Sequence, residues 1–298
     1  MKVYIDGKFH DKENAKISVY DHGLLYGDGV FEGIRFYNGR VFRLKEHMER
    51  LARSAQCIAL PLPMSLEEMT EALLETCRQS GLTDGYIRLL LTRGVGSLGL
   101  NPFKCERPSV VIIVDTIELY PEEYYHKGVP LITAGTRKIN SSALNPNIKS
   151  LNYLSNIMAK VEAIAAGTVE AVMLNEQGYV AEGTGDNIFV IKGGRVATPP
   201  VTAGILPGIT RAVIMELCVK LRIPCVEENM TRYELYTADE IFLTGTGAEI
   251  LPVVKLDGRL IGNGRFGPTT LKLINEFRKL TQKEGTPFLT SEPAARRR

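Results

Sequence analysis

Cysteine is scarce in this sequence and tryptophan is missing: the 298 residues include five cysteines and no tryptophan. The odd number of cysteines and the lack of any C-x-x-C pair argue against a disulfide framework and against a structural zinc site. The N-terminus has no apolar stretch typical of a signal peptide, and no apolar run is long enough to cross a bilayer. We therefore expect a soluble, cytoplasmic protein with no membrane partner.

The sequence also has no large excess of positive or negative charge, because 36 Lys and Arg residues nearly balance 34 Asp and Glu residues. Nucleic-acid binders usually concentrate basic residues on one face, and no basic block lies inside the chain, so no nucleic-acid partner is expected. P-loop, zinc-protease and serine-hydrolase motifs are absent, and the four histidines show no ligand spacing. The sequence thus predicts no metal site. A G-x-G-x-x-G run at residues 94–99 is not followed by a helix, which argues against dinucleotide binding.

The length of the chain favours two domains or one large domain. Asp6-Gly7 and Asn38-Gly39 are strong hairpin signals, because tight turns that match strand twist need positive φ angles. An apolar periodicity predicts a helix at residues 45–57. Hairpins beside helices, without strict alternation of strands and helices, predict an α+β fold.

Ser65 and Glu68 form a capping box for a helix that Gly81 ends.

A change of amino-acid composition after residue 118 indicates where the two domains meet, because the chain there becomes rich in Tyr, Glu and Pro. The predicted division is a small N-terminal α+β domain at 1–118, an interdomain loop at 119–131 and a larger C-terminal domain at 132–298.

Four segments carry groups suited to an anionic ligand with a charged ring. A Gly-rich turn at residues 204–211 enters a helix, whose N-terminus favours phosphate, and the loop at 244–247 offers glycines and threonines after a strand. Glu182 lies among glycines, and Lys149 precedes an amphipathic helix. Each segment has an ordinary alternative as a helix cap, a turn or a surface charge. Together they fit pyridoxal-phosphate chemistry, with a lysine for a Schiff base and a carboxylate for the pyridinium nitrogen.

Four motifs that are typical of one enzyme family occur in the family's order. The sequence resembles the fold-type IV pyridoxal-phosphate aminotransferases, and among them most closely the branched-chain amino acid aminotransferases. The resemblance runs from Tyr4 to about Phe277 and implies a two-domain fold with pyridoxal 5'-phosphate as cofactor. The motifs are YGDGVFEG at 26–33, KSLNY at 149–153, EGTGDN at 182–187 and GITR at 208–211.

The resemblance also implies a role for each cofactor-binding residue. Lys149 is the expected catalytic residue, which forms the Schiff base and then moves the substrate proton. Glu182 is expected to keep the pyridine nitrogen protonated, and Tyr153 to lie beside the phenolic oxygen of the cofactor. The phosphate contacts that the resemblance implies are Arg50, Ile209, Thr210 and Thr246.

The same resemblance implies which residues bind the substrates. Tyr86 and the backbone of Thr246 and Gly247 are expected to hold the α-carboxylate, and Arg88 the distal carboxylate of glutamate. The side-chain pocket is implied to include Tyr26, Phe31, Gly33 and Leu100, with Tyr26 and Leu100 supplied by the neighbouring subunit of at least a homodimer. For Phe31 and Leu100, simple core packing remains an alternative.

The implied activity is transamination between branched-chain L-amino acids (leucine, isoleucine, valine) and 2-oxoglutarate in two half-reactions. The alternatives within the fold type are a D-amino acid aminotransferase, an (R)-amine transaminase and aminodeoxychorismate lyase. A non-catalytic phosphate- or nucleotide-binding module would leave Lys149 unexplained, and an interaction scaffold would give no reason for the polar and Gly-rich loops. The sequence departs from some relatives in having no tryptophan in the interdomain loop, where Tyr120, Tyr124 and Tyr125 stand instead.

Overall fold

A computed structural model describes residues 2–289 of the chain. Within them no helix is both long enough and apolar enough to span a membrane. In chain order the elements are β1 (Lys2–Ile5), β2 (Lys8–Asp11), α1 (His22–Tyr26), β3 (Gly29–Tyr37), β4 (Arg40–Val41), α2 (Leu44–Cys57), α3 (Leu66–Ser80), β5 (Gly85–Thr92), β6 (Ser109–Asp115), α4 (Glu122–Lys127), β7 (Val129–Thr133), α5 (Leu154–Ala165), β8 (Glu170–Leu174), β9 (Val180–Gly183), β10 (Asn187–Lys192), β11 (Arg195–Thr198), α6 (Ile209–Lys220), β12 (Cys225–Glu227), α7 (Arg232–Tyr236), β13 (Glu240–Gly245), β14 (Glu249–Leu256), β15 (Arg259–Leu260), α8 (Pro268–Thr281) and β16 (Thr286–Pro287).

Two compact units make up this α+β fold. Unit 1 comprises the described residues up to Ile117 together with those from Thr281 onward, and unit 2 spans Glu118–Leu280. The division expected from the sequence differs at the C-terminal end, because β16 pairs with β4 and thereby joins the sheet of unit 1. The remainder of the expected C-terminal domain, residues 290–298, lies outside the described residues.

The expected interdomain loop at residues 119–131 has regular structure in its place. It holds α4 and the first part of β7. Strand β7 pairs in parallel with β14 on one side and with β8 on the other. Pairing partners that are distant in sequence therefore make a strand of a stretch that local composition predicts to be a loop.

Unit 1 is built on a seven-stranded sheet in the order β16-β4-β3-β5-β6-β1-β2. The helix predicted at 45–57 is confirmed as α2, and the capping box of α3 is present in full, with Gly81 in the left-handed conformation after its last turn. Side chains alternate across β3, so that Glu32 and Ile34 are completely buried on one face while Phe31 and Gly33 point to the other. One strand thus supplies two separate groups of residues.

Unit 2 is built on a second sheet, in the order β12-β11-β10-β13-β14-β7-β8-β9 with β15 paired to β14. Strands β10 and β13 are antiparallel neighbours, with Asn187 opposite Thr244. Phe189 and Phe242 stack in the middle of this pair at 5.0 Å between ring centroids. Because the turn before β10 and the turn after β13 lie at the same end of the pair, the sheet brings residues 182–187 next to residues 244–247.

Candidate active site

Glu182 on β9 is a buried carboxylate with both oxygens occupied. Its Oε1 lies 2.6 Å from Nζ of Lys138, and each of these side chains is 7% exposed. Its Oε2 accepts hydrogen bonds from Nδ2 of Asn187 at 3.0 Å and from the backbone N–H of Leu206 at 3.1 Å. A buried charge is tolerated when it is paired and hydrogen-bonded, so this environment keeps Glu182 anionic.

The Asn187 side chain connects Glu182 with the start of α6. Its amide also donates to the backbone carbonyl of Leu206 at 2.9 Å. A Cβ atom at Gly208 would lie only 2.0 Å from Oδ1 of Asn187, although the φ angle of Gly208 is the ordinary −67°. Space rather than backbone strain therefore requires glycine here, and the close approach brings the N-terminus of α6 to Glu182.

Helix α6 begins with Ile209 and Thr210, inside the segment at 204–211 that was expected to enter a helix, and no side chain caps its N-terminus in the described part of the chain. The first backbone N–H groups of a helix have no partner inside the helix, and they attract anions such as phosphate. Thr210 is buried. The geometry of this helix start suits a phosphate group.

The turn that follows β13 contains Thr246 and Gly247 and is very short, since Gly245 already pairs with Glu249 across it. Opposite residues of an antiparallel pair share one face, so the Thr244 side chain lies on the same face as Asn187. The hydroxyl of Thr244 is buried and has no hydrogen-bond partner within residues 2–289. An unsatisfied buried hydroxyl beside the Glu182 cluster fits a site that binds a further polar group.

Lys149 and Tyr153 lie just before and at the cap of α5. The Lys149 Nζ donates to the Tyr153 hydroxyl at 3.2 Å and lies 5.6 Å from the centroid of that ring. Both residues are half-buried. Tyr153 lines a cavity of unit 2 together with Lys138, Glu182 and Leu206, so the phenol and the carboxylate face one cavity, and Lys149 adjoins it through its contact with Tyr153.

A second group of expected residues meets on the sheet of unit 1. The guanidinium carbon of Arg88 lies 4.7 Å from the ring centroid of Phe31 and 5.5 Å from that of Tyr86. Gly33 is opposite Arg88 in the register of β3 and β5, and a Cβ atom at Gly33 would lie 1.9 Å from the Tyr86 hydroxyl oxygen. The arginine is thus held between two aromatic rings, and glycine is needed for the tyrosine to lie where it does.

Tyr26 and Leu100 are connected through the loop at residues 94–100. The Tyr26 hydroxyl donates to the backbone carbonyl of Leu98, and a ring nitrogen of His22 lies 2.7 Å from the carbonyl of Ser97. Leu100 is 78% exposed, which excludes core packing within the described chain. Phe31, by contrast, is buried while its ring also contacts Arg88.

Arg50 lies on α2, on the other face of the unit 1 sheet. Its Nε and Nη2 donate to the two oxygens of Glu32 at 2.7 and 2.8 Å, and His47 lies 2.8 Å from Glu32 Oε2. Burial alone would raise the pKa of Glu32, but the charges of Arg50 and His47 lower that pKa to about 2. This bidentate interaction with Glu32 fixes the orientation of the Arg50 guanidinium.

Sequence reasoning missed Lys138 and the roles of Asn187, Glu32 and Leu206. Asn187 and Glu32 lie inside the motifs at 182–187 and 26–33, and this position alone marks them as candidate site residues. Lys138 had none, because nothing local distinguishes it from the neighbouring Arg137. Its ion pair with Glu182 joins two segments that are 44 positions apart.

The cluster in unit 2 combines a half-buried amine, a phenol, a carboxylate held anionic and two backbone segments rich in N–H donors. A phosphorylated pyridine with a carbonyl group matches this set: the amine can bond the carbonyl, the carboxylate can face the ring nitrogen, and the N–H groups can hold the phosphate. The residues present therefore fit pyridoxal phosphate.

Known proteins show the same pattern along most of the chain. The model of the family described as "Amino-transferase class IV" matches residues 29–256. A protein of Methanocaldococcus jannaschii is 50% identical over 285 residues, 96% of this chain and 98% of that protein, and its name assigns it provisionally to the branched-chain-amino-acid aminotransferases.

Solved structures of branched-chain aminotransferases are also similar. The structure from Thermoproteus uzoniensis with norvaline superposes with a TM-score of 0.89 at 41% identity, covering 95% of this chain and 96% of that one. The structure of the T.th. enzyme in complex with N-(5'-phosphopyridoxyl)-L-glutamate has a TM-score of 0.89 at 37% identity, covering 94% of each chain.

Proposed function

This chain belongs to the class IV aminotransferase family, whose cofactor is pyridoxal phosphate, and we propose that it is a branched-chain-amino-acid aminotransferase acting with 2-oxoglutarate. The amino group and the Cα hydrogen of leucine, isoleucine or valine are exchanged for the keto oxygen of 2-oxoglutarate. The donor thereby becomes its 2-oxo acid and 2-oxoglutarate becomes L-glutamate. The names of the similar proteins support the branched-chain donor, and the glutamate adduct bound in the T.th. enzyme supports glutamate as the second amino acid.

The observation that carries this proposal is the position of Lys149. Its Nζ lies 3.2 Å from the Tyr153 hydroxyl, and Tyr153 lines the same cavity as Glu182. When bound, the cofactor supplies a Schiff-base carbon and an electron-withdrawing ring. Lys149 is the residue that would hold this carbon, and its amine would move a proton between the substrate Cα and that carbon in each half-reaction.

Glu182 has the role of a fixed anion in this proposal. Its three donors, Lys138, Asn187 and the N–H of Leu206, hold its carboxylate in the charged state and in one orientation. A fixed negative charge favours the protonated form of a nitrogen that faces it. The carboxylate therefore increases the electron demand of the ring that it faces.

The phosphate is assigned to two backbone segments and one arginine. Ile209 and Thr210 offer the N-terminus of α6, and Thr246 offers the short turn after β13. Arg50 contributes a guanidinium that Glu32 orients at 2.7 Å. Backbone N–H groups and arginine forks are the usual protein partners of phosphate oxygens.

Substrate recognition is assigned to the unit 1 group and to the turn at 246–247. Tyr86 and the N–H groups of Thr246 and Gly247 hold the α-carboxylate, while Arg88 meets the distal carboxylate of glutamate. Because Arg88 lies between two aromatic rings, one surface presents both charge and apolar area. The remaining pocket residues are Tyr26, Phe31, Gly33 and Leu100. We infer a homo-oligomer of at least two subunits, in which Tyr26 and the exposed Leu100 serve the neighbouring site, and we propose a cytoplasmic location for it.

Reduction with borohydride and peptide mass spectrometry test the assignment of Lys149. We expect a pyridoxyl label on residue 149 of the wild-type enzyme, no transamination by Lys149→Ala, and normal labelling of the control Lys45→Ala, whose side chain is 84% exposed. A label on another lysine would contradict the assigned role. A protein that takes no label would instead be a phosphate-binding module.

A substrate panel separates the enzymes of this fold type. L-leucine, D-alanine, (R)-1-phenylethylamine and aminodeoxychorismate are each offered with 2-oxoglutarate or alone, and we expect turnover of L-leucine. Arg88→Ala should harm the glutamate half-reaction more than the leucine half-reaction, because only glutamate has a distal carboxylate. Equal losses in both half-reactions would contradict the role of Arg88.

A further inference from the structure

A second acidic cluster lies beside the candidate active site in unit 2. It contains Glu170 on β8, Asp186 in the turn before β10, and Tyr120, which precedes α4. All three are buried. The Tyr120 hydroxyl lies 3.3 Å from Oε2 of Glu170 and 3.4 Å from Oδ2 of Asp186. A phenol has a single hydrogen to donate, so it serves the two carboxyl groups one at a time.

Glu170 has the surroundings of an ionised carboxylate. Its Oε1 accepts from the backbone N–H groups of Ala171 at 2.7 Å and Thr184 at 3.0 Å. Its Oε2 accepts from the Thr184 hydroxyl at 2.8 Å and lies 3.1 Å from Nζ of Lys160. Four donors, one of them a cation, stabilise the negative charge.

Asp186 has no comparable set of donors. Within the described residues, the shared Tyr120 hydroxyl is the one hydrogen-bond donor to its carboxyl group. The titratable groups that face it are Glu170, Glu182, Lys160 and Tyr120, and burial followed by the charge of Glu170 raises the pKa of Asp186 to about 7. Lys160 opposes this shift, but its ammonium is bound to Glu170.

Asp186 also touches Gly245, the last residue of β13, directly before the turn that carries Thr246 and Gly247. A Cβ atom at Gly245 would lie 2.0 Å from Oδ1 of Asp186, so the carboxyl group packs directly against the Gly245 backbone. The φ angle of Gly245 is not in the left-handed region, and the carboxyl group is therefore what reserves this position for glycine. Asp186 is therefore in direct contact with the residue that leads into the turn assigned to phosphate and α-carboxylate.

We propose that Asp186 is a positioning residue that holds a proton while the neighbouring turn binds the cofactor phosphate, and that loss of this proton weakens phosphate binding. The inference rests on the proposed function, because it takes Thr246 as a phosphate ligand. An ionised Asp186 places a buried negative charge against Gly245, one residue from Thr246, and repels the phosphate. The protonated acid supports the turn by contact and adds no charge.

The test measures how tightly the full-length apoprotein binds pyridoxamine 5'-phosphate, which forms no Schiff base with Lys149, between pH 6 and pH 8. Ionisation of the ligand affects every variant alike. Beyond that shared trend, the wild-type affinity should fall roughly tenfold more than the affinity of Asp186→Asn, a neutral side chain of the same shape. Glu122→Gln is the control for net charge, since Glu122 is 91% exposed on α4, and it should keep the wild-type slope.

Two further measurements make the result independent of that one variant. Glu170→Gln removes the like charge and should move the midpoint of the affinity change to lower pH. Infrared difference spectra of the holoenzyme at pH 6 should contain the C=O band of a protonated carboxyl group that Asp186→Asn lacks. Parallel slopes for wild type and Asp186→Asn, or no such band, would overturn this inference and leave the proposed function intact. No binding by the wild type together with no borohydride label would overturn both.

Discussion

Glu32 in unit 1 and Asp186 in unit 2 are both buried carboxyl groups, yet their surroundings favour opposite charge states. Glu32 faces Arg50 and His47, and these two groups lower its pKa to about 2 even though burial acts in the other direction. For Asp186, burial and then the charge of Glu170 raise the pKa to about 7. Burial raises the pKa of both groups, so the difference between them comes from the partners that each one faces.

The largest effect is expected from removing the cation of the unit 1 pair. Arg50→Ala leaves the Glu32 charge buried with only His47, and it should lower the free energy of unfolding by about 3–5 kcal/mol. Urea denaturation at pH 7 followed by circular dichroism measures this. Arg53→Ala, an exposed arginine on the same helix, should change stability by less than about 0.5 kcal/mol. Similar losses of unfolding free energy in the two variants would show that the ion pair of Arg50 with Glu32 stabilises the protein no more than an exposed arginine does.

The second effect concerns Asp186 and has the opposite pH dependence from an ordinary carboxylate. Between pH 3.8 and about 7 the unfolded chain loses this proton and the folded chain keeps it, so the contribution to stability is complete below pH 3.8 and is lost as pH rises. Relative to Asp186→Asn, the wild type should lose up to about 4 kcal/mol across this window. Denaturation curves at half-unit pH intervals measure the difference, and a constant difference would show that Asp186 is ionised throughout.

The third effect is the pH dependence of the stability that Glu32 contributes, which has the opposite sign from that of Asp186. Because its folded pKa lies below the ordinary 4.5, its contribution is present above pH 4.5 and is lost as pH falls toward 2. Wild type compared with Glu32→Gln should lose about 3 kcal/mol across this range. The same denaturation series, extended to acid, tests it. If the two curves stay parallel, Arg50 and His47 do not hold the carboxylate as the structure indicates.

The smallest effect tests the contact between Asp186 and the turn. Gly245→Ala should cost about 1–3 kcal/mol, because the new methyl group meets Oδ1 of Asp186. In an Asp186→Ala background the same change should cost much less, giving a coupling energy of about 1 kcal/mol or more in a double-mutant cycle. Gly185→Ala is the matched control, since no atom lies within 4 Å of the added Cβ. Additive effects of the two changes would exclude the contact.

Local signals predicted a large part of the fold. The capping box at Ser65 and Glu68 and the amphipathic pattern of α2 depend on neighbours within a few positions, so they are readable without the fold. The segment at 119–131 was not readable in this way, because its strand exists through pairing with β8 and β14. Strand formation depends on partners far along the chain.

The residues of the candidate site likewise fall into those that sequence motifs indicate and those that only the structure brings out. Lys149, Glu182 and the start of α6 stand out as residue types in recognisable motifs, and all of them lie within the residues that the class IV family model matches. Lys138, Glu170 and Tyr120 stand out in no motif. Their importance comes from side-chain contacts between segments that the sheet of unit 2 brings together.

The sequence by itself determined the family, the chemistry that its motifs can perform and the helices whose signals are local. Only the tertiary structure decided which carboxyl groups are charged, because the charge of a buried acid depends on groups within a few ångströms, whatever their distance along the chain. Glu32 and Asp186 each have a glycine beside them in their motifs, Gly33 and Gly185, and that neighbour does not distinguish the paired anion from the neutral acid.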